Sequence, residues 1–188
     1  MVKPCQLTFV YYYELYNLMK LHNKLIYRGR IIRLEKNRVR LPNGRIVDLD
    51  IVRHPGASAI VPIMDDGSYI LIKQYRHATG GYIYEIPAGT LNKGESPLQC
   101  AKRELIEETG FSAKRFKRLI SLRTTPGFTN ELIHIYLATG LSRAEIRHDF
   151  DEVINVKIVS KRKLIKMINS NEIVDAKSLV GLYKTLFK

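Results

Sequence analysis

The chain reads as an α/β protein: a mixed sheet with helices packed on it, preceded by a small antiparallel β subdomain. Three features predict this. Short apolar runs separated by hairpin turns fill residues 25–90. One helix with clear start and stop signals follows at 97–109. Strands then resume before two further helices close the chain, so strands and helices alternate irregularly without any repeat.

Residues 1–24 are expected to form an extension. The aromatic run Phe9-Val10-Tyr11-Tyr12-Tyr13 is broken by Glu14 and Asn17, so it is too short and polar to span a bilayer. It also lacks the apolar block and cleavage site of a signal peptide. Apolar residues at 15, 18, 19 and 25 predict a short amphipathic helix over 14–25, and Met19 would serve as an alternative start, leaving 1–18 dispensable.

The β subdomain is assigned to 25–56. Strands at Leu25–Leu34 and Arg38–Leu41 lead into the turn Pro42-Asn43-Gly44, Arg45–Val52 alternates as a third strand, and Arg53-His54-Pro55-Gly56 breaks it. The main domain then occupies 57–188. Ala57–Met64 and Tyr69–Tyr75 are joined by the turn Asp65-Asp66-Gly67, and Tyr82–Ile86 is ended by Pro87-Ala88-Gly89. Ser96, Pro97 and Gln99 form a capping box with proline at the first helical position, and Gly110 supplies the stop. Leu98, Ala101 and Leu105 share the face expected to dock on the sheet. Phe116–Arg123, Leu132–Ala138 and Val153–Val159 are strands, 139–151 is a polar surface loop, and 161–169 and 176–187 are helices.

Composition narrows the function. With 188 residues, 45% of them apolar, the chain can bury a core without disulfides or a structural metal. Two cysteines, Cys5 and Cys100, build neither a disulfide framework nor a zinc site, and a reducing cytoplasm is the expected compartment. Thirty-one Lys and Arg against 18 Asp and Glu give +13, a field that attracts anions without choosing among them. The basic residues are scattered, with no arginine-glycine tract, basic aromatic helix or zinc knuckle, so nucleic acid is not the favoured partner.

Against that background residues 85–108 are acidic: Glu85, Glu95, Glu104, Glu107 and Glu108 face only Lys93, Lys102 and Arg103. Glu104, Glu107 and Glu108 stand at i, i+3 and i+4, clustered on the helix beside its apolar face. Two explanations fit this spacing. One is a solvated face with an Arg103–Glu107 pair; the other is a site for a hard divalent cation, Mg²⁺ or Mn²⁺, with a peptide oxygen near Ala88 as a further ligand.

The run Gly89-Thr-Leu-Asn-Lys-Gly-Glu95, seven residues, then Arg103-Glu104-Leu105-Ile106-Glu107-Glu108-Thr109-Gly110-Phe111 resembles the Nudix box. Every named position is met, with Phe111 where an aliphatic residue is usual. The resemblance implies an α/β/α sandwich and metal-dependent hydrolysis of a nucleoside diphosphate linked to another moiety. It implies Glu104 and Glu108 as metal ligands, Glu107 as a further ligand or base, and the Ala88 carbonyl as an additional donor. Gly89, Glu95, Arg103 and Gly110 would be structural, with Glu95 and Arg103 paired.

Glu85-Ile-Pro-Ala-Gly89, Pro126 lying 16 residues beyond Gly110, Arg53-His54-Pro55-Gly56, Gln74-Tyr75-Arg76 and Asp175-Ala176-Lys177 resemble the ADP-ribose pyrophosphatase branch. That likeness covers roughly residues 25–185. It implies hydrolysis of ADP-ribose to AMP and ribose 5-phosphate, with Glu131 as base and Ile31, Arg53, Arg76, Glu85, Gly127 and Phe128 at the substrate. It also implies a homodimer joined through the N-terminal strands. Each assignment has a plainer counterpart: Arg76 pairs with Glu85, Glu131 begins a strand, Ile31 packs at an edge, and Cys100 simply packs.

Overall fold

A computed structural model describes residues 19–145 and 153–187. Residues 1–18 of the expected 1–24 extension and residues 146–151 of the expected 139–151 loop lie outside them. The chain divides into two units: residues 1–54 with 125–130, and residues 55–124 with 131–188.

The described part of the first unit is a three-stranded antiparallel sheet of β1 (Lys20–Arg28), β2 (Arg33–Arg40) and β3 (Ile46–Arg53), with β2 in the middle. The helix expected over 14–25 is therefore a strand from Lys20 onward. β1 pairs along its length with β2, so cross-strand partners override a weak helical period. The single strand expected over Leu25–Leu34 is two, because a turn closed by the Gly29 N–H on the Ile32 carbonyl divides it. One sheet face carries the rows Leu25–Glu35–Ile51 and Asn23–Asn37–Leu49, and the other carries Lys24–Lys36–Asp50 and His22–Arg38–Asp48. Residues 125–130 join this unit: the Val52 N–H donates to the Phe128 carbonyl at 2.8 Å, and the Asn130 amide bonds both backbone groups of His54.

In the second unit a mixed sheet runs in the order β10 (Ile154–Val159), β5 (Tyr69–Arg76), β4 (Ala57–Ile63), β9 (Leu132–Arg143), β8 (Phe111–Arg123). β4 and β9 are parallel. The turn at 65–67 forms, yet β4 and β5 pair only at Ile63–Tyr69 and then diverge. The gap is filled by β6 (Gly81–Glu85) on β5 and β7 (Ala88–Thr90) on β4. Pro87, which ends β6 as expected, is thus a crossing between two strands, and its carbonyl accepts from the Ile60 N–H at 2.8 Å.

Helices cover both faces, giving the α/β/α sandwich. Ile60, Tyr136 and Ala138 pack with Ala101 and Leu105 of α1 (Pro97–Thr109). Ala57, Ala59, Val61 and Ile135 pack on the opposite side with Leu164, Met167 and Leu182 of α2 (Lys161–Asn169) and α3 (Ala176–Leu186). Alternation along β4 sends successive side chains to the two layers. Leu98 departs from expectation: it lies in the first turn of α1 and stays 38% exposed, while Cys100 is buried in its place. Residues 139–143 are also strand rather than loop. They pair with 111–115 in an exposed polar extension of β8 and β9, which has no apolar alternation to reveal it. Among the described residues no helix is long and apolar enough to cross a membrane.

Candidate functional site

The capping box forms at Ser96 and Gln99, and Gly110 ends α1 in the left-handed conformation at φ 68°. These caps fix the helical phase. The phase gives a buried stripe of Cys100, Ala101, Glu104, Leu105, Glu108 and Thr109, so two carboxylates share the face that packs on the sheet. Glu104 is 7% exposed and Glu108 fully buried, so the solvated face considered from spacing is absent. Removing a carboxylate from water costs several kcal/mol unless charge or hydrogen bonds compensate.

Ala88 and Arg103 supply compensation. The Ala88 N–H donates to Glu108 Oε2 at 2.8 Å. The Arg103 guanidinium reaches three acids: Nε and Nη2 grip Glu95 at 2.8 and 2.9 Å, and Nη1 meets Glu104 at 2.5 Å and Glu107 at 2.8 Å. Its Nη2 also donates to the Thr90 carbonyl, which ties the 90–95 loop to the helix. Hydrogen bonding from Arg103 holds the Glu95 carboxyl below its ordinary range despite partial burial. The expected Glu95–Arg103 pair is present, and so is the i, i+4 pair of Arg103 with Glu107.

Gly89 shows why this strand runs so close to α1. A Cβ built there would overlap the Glu104 carboxylate. The glycine is thus a cradle for that carboxylate rather than a flexible joint. Cys100 lies beneath, its thiol 3.4 Å from the Gly89 carbonyl and pushed up to about 11 by burial and the nearby Glu104 charge. That is a packed, unreactive thiol.

Carboxylate oxygens brought within one helical turn suit a hard divalent cation. The donors are nevertheless not assembled for one: among the described residues no three His, Cys, Asp or Glu side chains stand in metal-holding geometry. Arg103 Nη1 lies between Glu104 and Glu107, and the Ala88 N–H donates to Glu108. A cation at this turn would share Glu104 and Glu107 with the guanidinium.

A second cluster is built at the end of β6. Glu85 is 2% exposed and accepts from Arg76 Nε at 2.6 Å and Nη2 at 3.0 Å. Lys177, in the first turn of α3, donates to Glu85 Oε2 and to Asp175 Oδ2. Burial alone would raise the Glu85 carboxyl, but the hydrogen bond from Arg76 and the charge of Lys177 hold it below the ordinary 4.5. The Glu108 charge also acts on Arg76, linking the two clusters electrostatically. The cross-strand pairing considered for Arg76 is thus real. The sequence marked Asp175 and Lys177 only as a family likeness and gave no sign of Ser178, whose Oγ accepts from the buried Ile86 N–H at 2.8 Å.

Of the remaining expected residues, Glu131 precedes β9 and accepts from Thr124 Oγ1 at 2.7 Å. Ile31, Arg53, Gly127 and Phe128 belong to the first unit, where Arg53 pairs with the buried Glu35 at 2.9 Å and Ile31 and Phe128 are exposed.

Comparison with known proteins agrees with this architecture. The NUDIX domain matches residues 52–179. The chain is 42% identical over 159 residues to an ADP-ribose pyrophosphatase of Bacillus subtilis, covering 84% of this chain and 86% of that one. It is 37% identical over 171 residues to a methanol dehydrogenase activator of Bacillus methanolicus, covering 90% and 92%. A crystal structure of ADP compounds hydrolase superposes with a TM-score of 0.77 at 25% identity, covering 88% and 90%. With the box complete in sequence, its helix docked against Gly89 and the sandwich around it, the chain belongs to the Nudix family.

Proposed function

We propose that this chain is a Mg²⁺-dependent hydrolase, with Mn²⁺ as a substitute ion, that splits ADP-ribose into AMP and ribose 5-phosphate. One observation carries the reading: Glu104 and Glu108 are buried on a single helical turn, and Gly89 makes room for a carboxylate there. Glu104, Glu107 and Glu108 are the residues that would hold the ion, joined by the Ala88 carbonyl. A divalent cation supplies charge neutralisation for the diphosphate and a more acidic water.

The chain's own residues do the rest. Arg76 and the Glu85 that grips it orient the substrate. Glu131, held by Thr124, accepts the proton of the attacking water. Water adds to one phosphorus, the bridging P–O bond breaks, and the departing phosphate takes the electron pair. Glu95, Arg103 and Gly110 keep the loop and helix in register. The likeness to a named ADP-ribose pyrophosphatase over most of both chains supports the choice of substrate.

Initial rates on ADP-ribose, ADP-glucose, GDP-mannose and NADH test it: the highest kcat/KM is expected on ADP-ribose, and a higher value on any other defeats the substrate assignment. Glu108→Gln is expected to lower kcat by about a thousandfold with the fold intact, since loss of one charge-stabilising group costs on that order. The likeness to a methanol dehydrogenase activator favours a second reading, in which the chain acts on a partner enzyme; stimulation of that dehydrogenase on mixing would support it.

The reading includes a cytoplasmic homodimer. Leu25 at 46% and Leu49 at 39% exposure lie on one face of the N-terminal sheet, and large apolar side chains exposed together favour association. Light scattering is expected to give twice the chain mass.

A further inference from the structure

The first turn of α3 is built onto the strand that leads into the acid cluster. Ser178 Oγ accepts from the Ile86 N–H at 2.8 Å, and Lys177 donates to Glu85, the preceding residue. Asp175 caps the helix by accepting from the Ser178 N–H at 2.9 Å and also touches Lys177 at 3.0 Å. Side chain and backbone of two consecutive residues are thus held from one helical turn. Ala88, two residues further on, reaches Glu108.

The charge arrangement has a consequence for Arg76. Glu85 is buried and its carboxylate is shared between Arg76 and Lys177. Arg76 gives Nε and Nη2 to Glu85, which leaves Nη1 outside that pairing, and its side chain is 39% exposed. With Lys177 gripping the same carboxylate, Glu85 is held from both sides, and Arg76 is held with it, its remaining edge outward. Asp175 Oδ2 also lies 3.0 Å from Lys177, so Arg76, Lys177, Glu85 and Asp175 sum to zero formal charge.

We propose that Lys177 is a positioning residue for diphosphate binding: by gripping the Glu85 carboxylate that Arg76 also grips, it fixes the outward edge of the arginine toward a phosphate. This rests on the reading of the site as one for nucleoside diphosphates. Lys177 itself touches Glu85 and Asp175, and it acts through Arg76.

Binding of imidodiphosphate, measured calorimetrically at fixed Mg²⁺, tests the proposal apart from turnover. Lys177→Met is expected to raise Kd about tenfold, the size of one charge-assisted hydrogen bond, and Lys177→Arg to restore it. In a Glu85→Gln background the same Lys177→Met change is expected to do nothing further, because the shared carboxylate is gone. An unchanged Kd in Lys177→Met, or an equal loss in the Glu85→Gln background, overturns the proposal. If Lys177→Met does not fold, Lys177→Gln takes its place in the cycle. ADP-ribose turnover by the unmodified chain separates the two readings. Turnover without coupling sinks the role of Lys177 and spares the substrate, whereas coupling without turnover does the reverse.

Discussion

Two ion clusters in the main unit are built as opposites. Around Arg103 one guanidinium is surrounded by Glu95, Glu104 and Glu107. Around Glu85 one buried carboxylate is shared by Arg76 and Lys177. The first is short of positive charge, whereas the second is balanced once Asp175 is counted and keeps an arginine at its exposed edge. A divalent cation would supply what the first lacks, and the arginine edge of the second would meet a diphosphate. Residues 87–89 join the clusters, since β6 ends on Glu85 and β7 carries the N–H that Glu108 accepts and the glycine that Glu104 crosses.

Removing the hub of the acidic cluster breaks the contrast most severely. Breaking a buried ion pair by deleting one partner costs about 3–5 kcal/mol, and the partial exposure of Arg103 brings the expected loss in Arg103→Met to about 2–3 kcal/mol. Denaturant melts check this. Added Mg²⁺ is expected to recover part of the loss, because the cation takes over the charge that Arg103 supplied. No recovery would mean the acids are merely structural partners of the arginine.

Gly89→Ala sharpens the comparison, since it presses on the acidic cluster alone. Overpacking typically costs about 1–3 kcal/mol, and the low end is expected because a carboxylate is the far end of a flexible side chain. Its signature is a weaker metal requirement, read as a higher Mg²⁺ concentration for half-maximal rate, with KM for the nucleotide changed less.

Acid treatment separates the clusters more gently. Glu85 and Glu95 both have carboxyls held below 4.5 in the folded chain. The unfolded chain therefore takes up protons first, so the stability these groups contribute is complete above about pH 4.5 and is lost as pH falls through their folded values. Glu85→Gln is expected to flatten the fall in Tm between about pH 5 and 3 more than Glu95→Gln, because Glu85 is the more buried of the two. An equal effect would show that burial does not separate the clusters.

Much of the acidic cluster could be read from the chain itself. The capping signals at Ser96 and Gly110 set the phase of α1, and phase alone puts Glu104 and Glu108 on the packed face. The role of Gly89 was visible only as a motif position; the reason, a carboxylate lying where a Cβ would be, depends on a tertiary approach. The opposite cluster was harder to see. Arg76 and Glu85 are neighbours across a hairpin, but Lys177 and Ser178 meet them from 92 residues away, a separation at which no periodicity operates. Strand pairing defeated local reading in the same way at Lys20–Leu25 and at 139–143, where polar or mixed residues are strand only because a partner strand lies beside them.

The most direct test of the central claim is Mn²⁺ binding followed by electron paramagnetic resonance, without nucleotide. The native chain is expected to bind the ion, and the Glu104→Gln, Glu108→Gln double variant to lose that binding while keeping its circular dichroism. Equal affinity in both would contradict the assignment of this helical turn as the ion site.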